Sequence, residues 1–559
     1  MIKNKNYFFN NEFKILFIPA TIGLFSEFIR LIIDETIIGI LFDEIAFAGI
    51  NLVEPYTIFV AFISYLICSG VASLMEREYG KNDKNKADEF FSLGMILAIS
   101  IGIIITIIMI INEESFIQIV ASNSQSIYYV REYFKYIKFI PVIIIVSSLM
   151  FTTTLYRGGK VYCIINSISL VILNSVLSIF FGKIMGIKGI AIATLLSYIL
   201  SLIPFIVYYF TKNGKTSFIF NFDMKNILSI FKIGSGEASQ FLYISIFELI
   251  LNLFLLKNYG DNAVIIGAII INILFLFISI FEGITEFLIV CENIFIGESN
   301  ANAIKRCFKY IIKAGIIESI IVFILIQLLA PIFPSIIGID AHNILNDAII
   351  AIRIFSFSAI PFMIVRIFAI YYLYINKIFL SHYLFASSML IFPVFLIYLC
   401  KNILDINYIW ISITISPIIS IILLLIYIKI KNIFDKNKFY YPLYLENKSI
   451  KKSFSKDIKC TKEGIESLCI LVETFLIDQK ISIEKIKIIT NDILNSQLFY
   501  ANKSNHKEAI ICNINISNEI LLYITNTNVL EQYNFNNTSL GKYENTNGNN
   551  SIFFSYLIE

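Results

Sequence analysis

Long runs of Ile, Leu, Phe and Val, separated by short polar loops, set the pattern from residue 13 to residue 430. They fall at 13–40, 46–75, 88–112, 134–156, 161–181, 189–211, 234–257, 262–290, 308–333, 346–374, 378–400 and 406–430, twelve in all. About 20 apolar residues cross a bilayer as a helix, and each run reaches or approaches that length. Only a helix satisfies its own backbone in lipid one segment at a time, so all twelve are predicted as membrane helices. Pro19, Pro55, Pro141, Pro204, Pro361, Pro393 and Pro417 fall inside them and mark expected kinks. From about residue 431 the chain turns polar and rich in Lys and Asn. There, 461–478 and 482–501 show helical periodicity, 508–516 and 519–525 read as strands joined at Ser517-Asn518, and the Asn-rich 531–550 reads as a loop.

Composition agrees with the pattern. The chain is 57% hydrophobic and 15% charged, with a mean hydropathy of +0.77, whereas soluble chains carry roughly 25% charged residues. A net charge of +3 without a basic patch argues against a nucleic-acid partner. The eight cysteines form no CxxC pair and the three histidines are far apart, so disulfides and metal sites are not expected. Asn10, Asn11, Glu12 and Lys14 precede an apolar run too long for a signal peptide. Lys and Arg concentrate in the even-numbered loops, for example Arg77, Lys81, Lys84 and Lys86, while 111–127 and 334–345 contain none. The positive-inside rule then puts both termini in the cytoplasm of a plasma-membrane protein. Lys183, Lys188, Lys257 and Lys401 run against that signal.

The halves share a weak repeat. Asp43-Glu44-Ile45-Ala46, then Gly70, then Gly80-Lys81-Asn82-Asp83 with Ala87 parallels Gly260-Asp261-Asn262-Ala263, then Gly283, then Gly297-Glu298-Ser299-Asn300 with Ala303. Six spans plus six in the same orientation imply parallel repeats, and repeat-built transporters place their sites near the midplane. The expected architecture is an all-α membrane protein of two six-helix bundles, at 1–215 and 216–432, followed by a small cytoplasmic α+β domain at 433–559.

Several passages resemble the multidrug and toxin extrusion (MATE) family of the flippase-like superfamily. They are Pro19-Ala20; Ile33-Asp34-Glu35-Thr36-Ile37-Ile38-Gly39; Gly70 with Arg77-Glu78-Tyr79-Gly80; and Leu173-Asn174-Ser175-Val176-Leu177 with Gly186, Gly189 and Ala191-Ile192-Ala193-Thr194. Trp410 and Pro417 fit its last span. The resemblance covers roughly residues 10–430. It implies two bundles forming a V around a cavity, no cofactor, and export of organic cations or other amphiphiles in exchange for protons or sodium. It also implies a cation-coupling site at Asp34, Asn174, Ser178 and Thr194. Ser178 stands where that family commonly has a second acid.

Charges within spans are costly, about 2.5–3.5 kcal/mol each at the centre on insertion scales, so each needs a partner, a wet cavity or a proton. Glu27, Arg30 and Asp34 share one helix face. They read either as a cavity-lining proton site or as a neutralised pair joining helices. Glu282 and Glu286, at i and i+4, either share a proton or reach interfacial water. Glu248 and Gln240 lie deep in the seventh span, and Glu54 adjoins Pro55 in the second. Arg366 is deep enough to need a carboxylate, with Glu248 or Glu282 as candidates, whereas Arg353 can reach the interface.

The tail faintly resembles the ATP-binding fold of gyrase and histidine-kinase type. Ile488-Ile489-Thr490-Asn491-Asp492-Ile493-Leu494-Asn495 carries that resemblance. Asn491 replaces the activating Glu, Thr525-Asn526-Thr527-Asn528 replaces Asp-x-Gly, and Gly548 alone remains of the lid, so hydrolysis is not expected. No GxxxxGK[ST], GxSxG or HExxH motif is present, so no enzyme is implied. Three readings stay open: a cation-coupled antiporter of small amphipathic compounds, a flippase of lipids or lipid-linked saccharides, and a membrane sensor or scaffold. The expected partners are a small amphipathic molecule, membrane lipid and, through the tail, a cytoplasmic protein.

Overall fold

The computed structural model describes residues 7–557, apart from 43, 81–83, 122–124, 158, 212–213, 215–216, 220, 222, 337–341, 401–406, 437, 504–508, 517–518, 527–540 and 547–548. The first half comprises α1 (Tyr7–Leu41), α2 (Glu44–Asn51), α3 (Glu54–Gly80), α4 (Lys84–Ile111), α5 (Glu113–Ala121), α6 (Ile127–Ile137), α7 (Ile140–Tyr156), α8 (Lys160–Met185), α9 (Ile187–Ser201) and α10 (Ile203–Tyr209). The second comprises α11 (Met224–Tyr259), α12 (Asp261–Gly297), α13 (Ala301–Leu329), α14 (Ile332–Ile336), α15 (His342–Ser356), α16 (Ala359–Tyr374), α17 (Ile378–Ala386), a π-turn (Ser387–Ile391), α18 (Phe392–Cys400) and α19 (Asn407–Phe434).

Among the described residues, nine segments are long and apolar enough to cross a membrane. Two bent pairs, α6 with α7 and α15 with α16, bring the number to eleven, and α1 covers the remaining predicted run. The protein is therefore a multi-pass membrane protein. The pairs bend by 54° and 46°. Pro141 and Pro361 lie just after these breaks, where a residue without an N–H cannot continue the preceding ladder. Outward faces carry exposed apolar side chains, such as Ile103, Ile107 and Ile111 on α4 and Ile317, Ile321 and Ile324 on α13. In water such stripes would be a liability; against lipid tails they are the natural surface.

The halves meet along two seams. In one, α1 packs on α12, where Gly283 leaves room for Phe17 and Thr21. In the other, α3 runs along α11. A Cβ at Gly70 would stand 2.2 Å from the Ile230 carbonyl oxygen, and one at Gly234 would stand 1.9 Å from that of Leu66. Only glycine permits this approach, as in membrane helix pairs generally. Further along, Tyr65 stacks on Phe241 at 4.4 Å, Ser245 donates to the Pro55 carbonyl at 2.7 Å, and Asn252 donates to the Asn51 carbonyl at 3.2 Å. This seam is thus closed from one end to the other. The connection between the halves is anchored by Asp88, which accepts from Arg157 at 2.9 Å and from the Ser217 amide at 3.0 Å.

After α19 come β1 (Phe439–Tyr440), β2 (Leu445–Glu446), α20 (Asn447–Lys451), β3 (Ser453–Lys459), α21 (Lys462–Asp478), α22 (Ile483–Lys503), β4 (Ala509–Ile516), β5 (Glu519–Asn526), β6 (Gly541–Thr546) and β7 (Asn549–Leu557). The last five strands form an antiparallel sheet in the order β3-β4-β5-β7-β6. The predicted pairing of β4 with β5 is present. The loop expected over 531–550 is corrected in part: 541–546 pairs with β7, and β7 itself begins at 549. Residues 531–540 lie outside the described part. Ile510, Cys512 and Ile514 of β4 pack with Leu468 and Val472 of α21 and with Ile489 and Ile493 of α22. Ala509 and Ile511 belong instead to the core of the membrane body. Cover on both faces explains why β4 opens on four consecutive apolar residues, Ala509-Ile510-Ile511-Cys512, before Asn513 and Asn515 alternate with isoleucines.

The tail is docked on the membrane body. Buried Asp457 of β3 accepts the Phe8 amide of α1 at 3.1 Å and pairs with Arg306 of α13. Asn300, the N-cap of α13, donates to the Phe454 carbonyl at 2.8 Å. Asn513 donates to Glu298 at 2.6 Å. Tyr371 and Tyr372 of α16 donate to the Leu443 and Pro442 carbonyls at 2.7 and 2.8 Å. Glu298 lies beyond the apolar span of α12, and burial pushes its carboxyl up to about 8 against the opposing hydrogen bond from Asn513.

Candidate functional site in the membrane body

Asp34 sits on α1 one turn after Arg30, and the two pair at 3.2 Å. Helix α8 brings Asn174 and Ser178 to the same carboxylate, since residues four apart share a helix face. The Ser178 hydroxyl donates to Asp34 Oδ1 at 2.9 Å. With its nitrogen turned inward, the Asn174 amide donates to Oδ1 at 2.9 Å and to Oδ2 at 3.3 Å. Thr194 of α9 lies beside this carboxylate, its hydroxyl donating to the Ile190 carbonyl at 3.1 Å. Asn174, Ser178 and Thr194 are all buried. The Arg30 guanidinium also lies over the Tyr198 ring, 5.4 Å from its centre. The four predicted cation-coupling positions therefore meet at one point. Glu27 is on α1, but its side chain lies outside the described residues.

Beside this group lie three more carboxyls. Glu35, the next residue of α1, turns to the seam and accepts from Asn272 of α12 at 2.6 Å. Glu54, in the first turn of α3, lies within electrostatic reach of Arg30 and Glu35. Glu248 of α11 faces both Glu54 and Glu35. It is 1% exposed, and no described group hydrogen-bonds either of its oxygens. Glu248 is thus not the partner of Arg366.

Arg366 of α16 is 2% exposed and forms a second polar centre. It pairs with Glu282 of α12, donates to Gln240 of α11 at 3.1 Å and donates to Thr285 at 3.3 Å. Glu318 of α13 is within its electrostatic reach. Glu282 is therefore the ion-pair partner of Arg366. Arg353 is exposed, as expected of a side chain reaching the interface. In the tail, Asn491 and Asn495 lie exposed on α22.

Comparison with known proteins gives the fold a name. A solved inward-facing MATE transporter of the MOP superfamily superposes with a TM-score of 0.65 at 21% identity, covering 73% of this chain and 95% of that one. The family model described as MatE matches residues 19–180, the stretch that holds Asp34, Asn174 and Ser178. Over this stretch the chain is similar to the MATE family. A Pyrococcus furiosus MOP-superfamily transporter, described as having a binding pocket of reverse polarity that suggests a different function, superposes equally well. It has a TM-score of 0.65 at 21% identity, covering 75% of this chain and 96% of its own. Multidrug export protein MepA of Staphylococcus saprophyticus and of Staphylococcus aureus are each 23% identical over 252 residues. The match takes in 44% of this chain and 56% of each MepA, so it spans little more than half the length of these relatives. The MATE likeness concerns the membrane body; the ATPase-like reading of the tail has no support from it.

Proposed function

We propose that this protein is a cation-coupled efflux transporter of small amphipathic or cationic compounds, working by alternating access in the plasma membrane with both termini cytoplasmic. The observation that carries the reading is the carboxylate of Asp34, held inside the first half by Arg30, Ser178 and Asn174. A charge in that setting is expensive unless it is used. Protonation of Asp34 would discharge the carboxylate that Arg30 and the α8 donors grip, which loosens α1 from α8. That makes a proton arriving from outside a lever on helix packing, and the release of substrate follows from it. The coupling ion in this reading is the proton, because Ser178 supplies a hydroxyl rather than a second charge.

The comparisons add weight to multidrug efflux, since MepA proteins are multidrug exporters by name. A flippase would need basic groups such as Arg30, Arg353 and Arg366 to hold a phosphate. Arg366 is committed to Glu282 and Gln240, and Arg30 to Asp34, which leaves the exposed Arg353 of the three. The two committed arginines do not favour an anionic headgroup.

Ethidium efflux from cells expressing the chain tests the proposal. Efflux should stop with Asp34→Asn and with collapse of the proton gradient. Efflux that persists in Asp34→Asn removes this site from the mechanism.

A further inference from the structure

Glu35, Glu54 and Glu248 come from three of the four helices that build the seams between the halves, and Asn272 comes from the fourth. Their geometry differs from that of Asp34. Asp34 is saturated by donors of its own half, α1 and α8. The seam group is starved of them. Glu35 has the Asn272 amide, but no described group hydrogen-bonds Glu248 Oε1, Glu248 Oε2, Glu54 Oε1 or Asn272 Oδ1. Glu248 and Asn272 are each 1% exposed. Buried oxygens left this way cost free energy unless a donor reaches them, and a carboxylate costs more than a neutral group.

Charge accounting sharpens the point. Asp34, Glu35, Glu54 and Glu248 occupy one region of the membrane interior. Among the described residues, Arg30 is the one cation acting on them, and it is paired with Asp34. Among the described residues, Tyr133 of α6 and Tyr198 of α9 also face this region, and neither supplies positive charge. Lys and His side chains are absent from it among the described residues. Three negative charges gathered in the membrane interior without counter-ions would force the seams apart. No cluster of three His, Cys, Asp or Glu among the described residues is close enough to hold a metal ion. The missing positive charge is therefore better met by protons, each of which turns an oxygen acceptor into a donor.

We infer that Glu35, Glu54 and Glu248 form a second proton-binding site, shared between the two halves, whose protonation permits the seams to close. A protonated Glu248 would donate to a neighbouring seam carboxylate across α11 and α3 or α1. Deprotonation leaves like charges facing one another across the seam and drives α1 and α3 away from α11 and α12. Proton occupancy is in this way read directly as the spacing of the halves. The site rests on the transport reading only for its use; its existence as a protonated cluster does not.

The test keeps the two apart. Purified full-length protein is titrated with pH and followed by infrared difference spectroscopy in the carboxylic C=O stretching region, where only protonated carboxyls absorb. Wild type should show a titrating band that loses amplitude in Glu248→Gln and in Glu35→Gln and is retained in Asp34→Asn. Thermal unfolding of each variant confirms that it is folded, and Glu54→Gln serves if either of the others is not. A band that is absent, or unchanged in all three seam variants, overturns the proposal. Loss of ethidium efflux in Asp34→Asn with an unchanged seam band supports both sites separately. Failure of all ethidium transport with the band intact removes the transport reading and leaves the seam site standing.

Discussion

The Ser178 hydroxyl reaches from α8 to Asp34 Oδ1 on α1 at 2.9 Å, so a neutral donor occupies the place where a second acid would repel. Hydrogen bonds to charged groups contribute about 1.5–3 kcal/mol. Ser178→Ala should lower thermal stability by an amount in that range and weaken proton-driven ethidium efflux without abolishing it. Unchanged melting and unchanged efflux would show that this bond is idle.

Arg366 holds the second centre. Removing one partner of a buried ion pair costs about 3–5 kcal/mol, because the other charge is stranded. Arg366→Met should therefore lower the melting temperature sharply. Combining it with Glu282→Met should recover part of the loss, since Glu282 is then no longer stranded while Glu318 still lacks its cation. Melting curves of both single variants and the double variant in detergent decide this, and additivity would argue against the pairing.

The α3–α11 seam depends on backbone approach at Gly70 and Gly234. A methyl group at either position would overlap a carbonyl oxygen, and overpacking costs about 1–3 kcal/mol. Gly70→Ala should slow efflux by opposing closure of this seam. A cysteine pair introduced across the α3–α11 contact should cross-link less readily in that background. Equal cross-linking would mean that the seam tolerates the methyl.

Glu298 predicts a pH dependence for tail docking. Its folded value is about 8 against an ordinary 4.5, so the docked state binds the proton more tightly than the undocked one. Docking from this source is at full strength below the lower value, weakens as pH rises through the window and is weakest above about 8. Limited proteolysis of the tail should accelerate over that window in wild type. Glu298→Gln, which keeps an oxygen for Asn513, should flatten the profile. A profile with the same slope in the variant would assign the effect elsewhere.

The membrane helices were legible because a long apolar run in lipid admits one solution. Arg366 was legible for the same reason: a deep guanidinium demands a carboxylate, and Glu282 meets it. Asp34, Asn174, Ser178 and Thr194 were placed by family resemblance rather than by spacing. Glu35 was hidden beside Asp34. Adjacent helix residues point about 100° apart, so one faces α8 and the other the seam. The dispersed origins of Glu54 and Glu248 concealed their meeting with Glu35, which only the packing of α3 on α11 produces. Strand β6 escaped because an Asn- and Gly-containing segment has weak strand preference, and its pairing with β7 is a tertiary choice. Asp88 and Arg157, far apart in sequence, are brought together only by the fold.

Asp457 touches both the opening turn of α1 and the side of α13. One strand residue thus staples together two helices that the proposed alternating-access cycle would move apart. The soluble appendage is consequently not a passenger. In the proposed alternating-access cycle its grip would have to be surrendered on one side, or travel with one helix, which would couple tail undocking to inward opening.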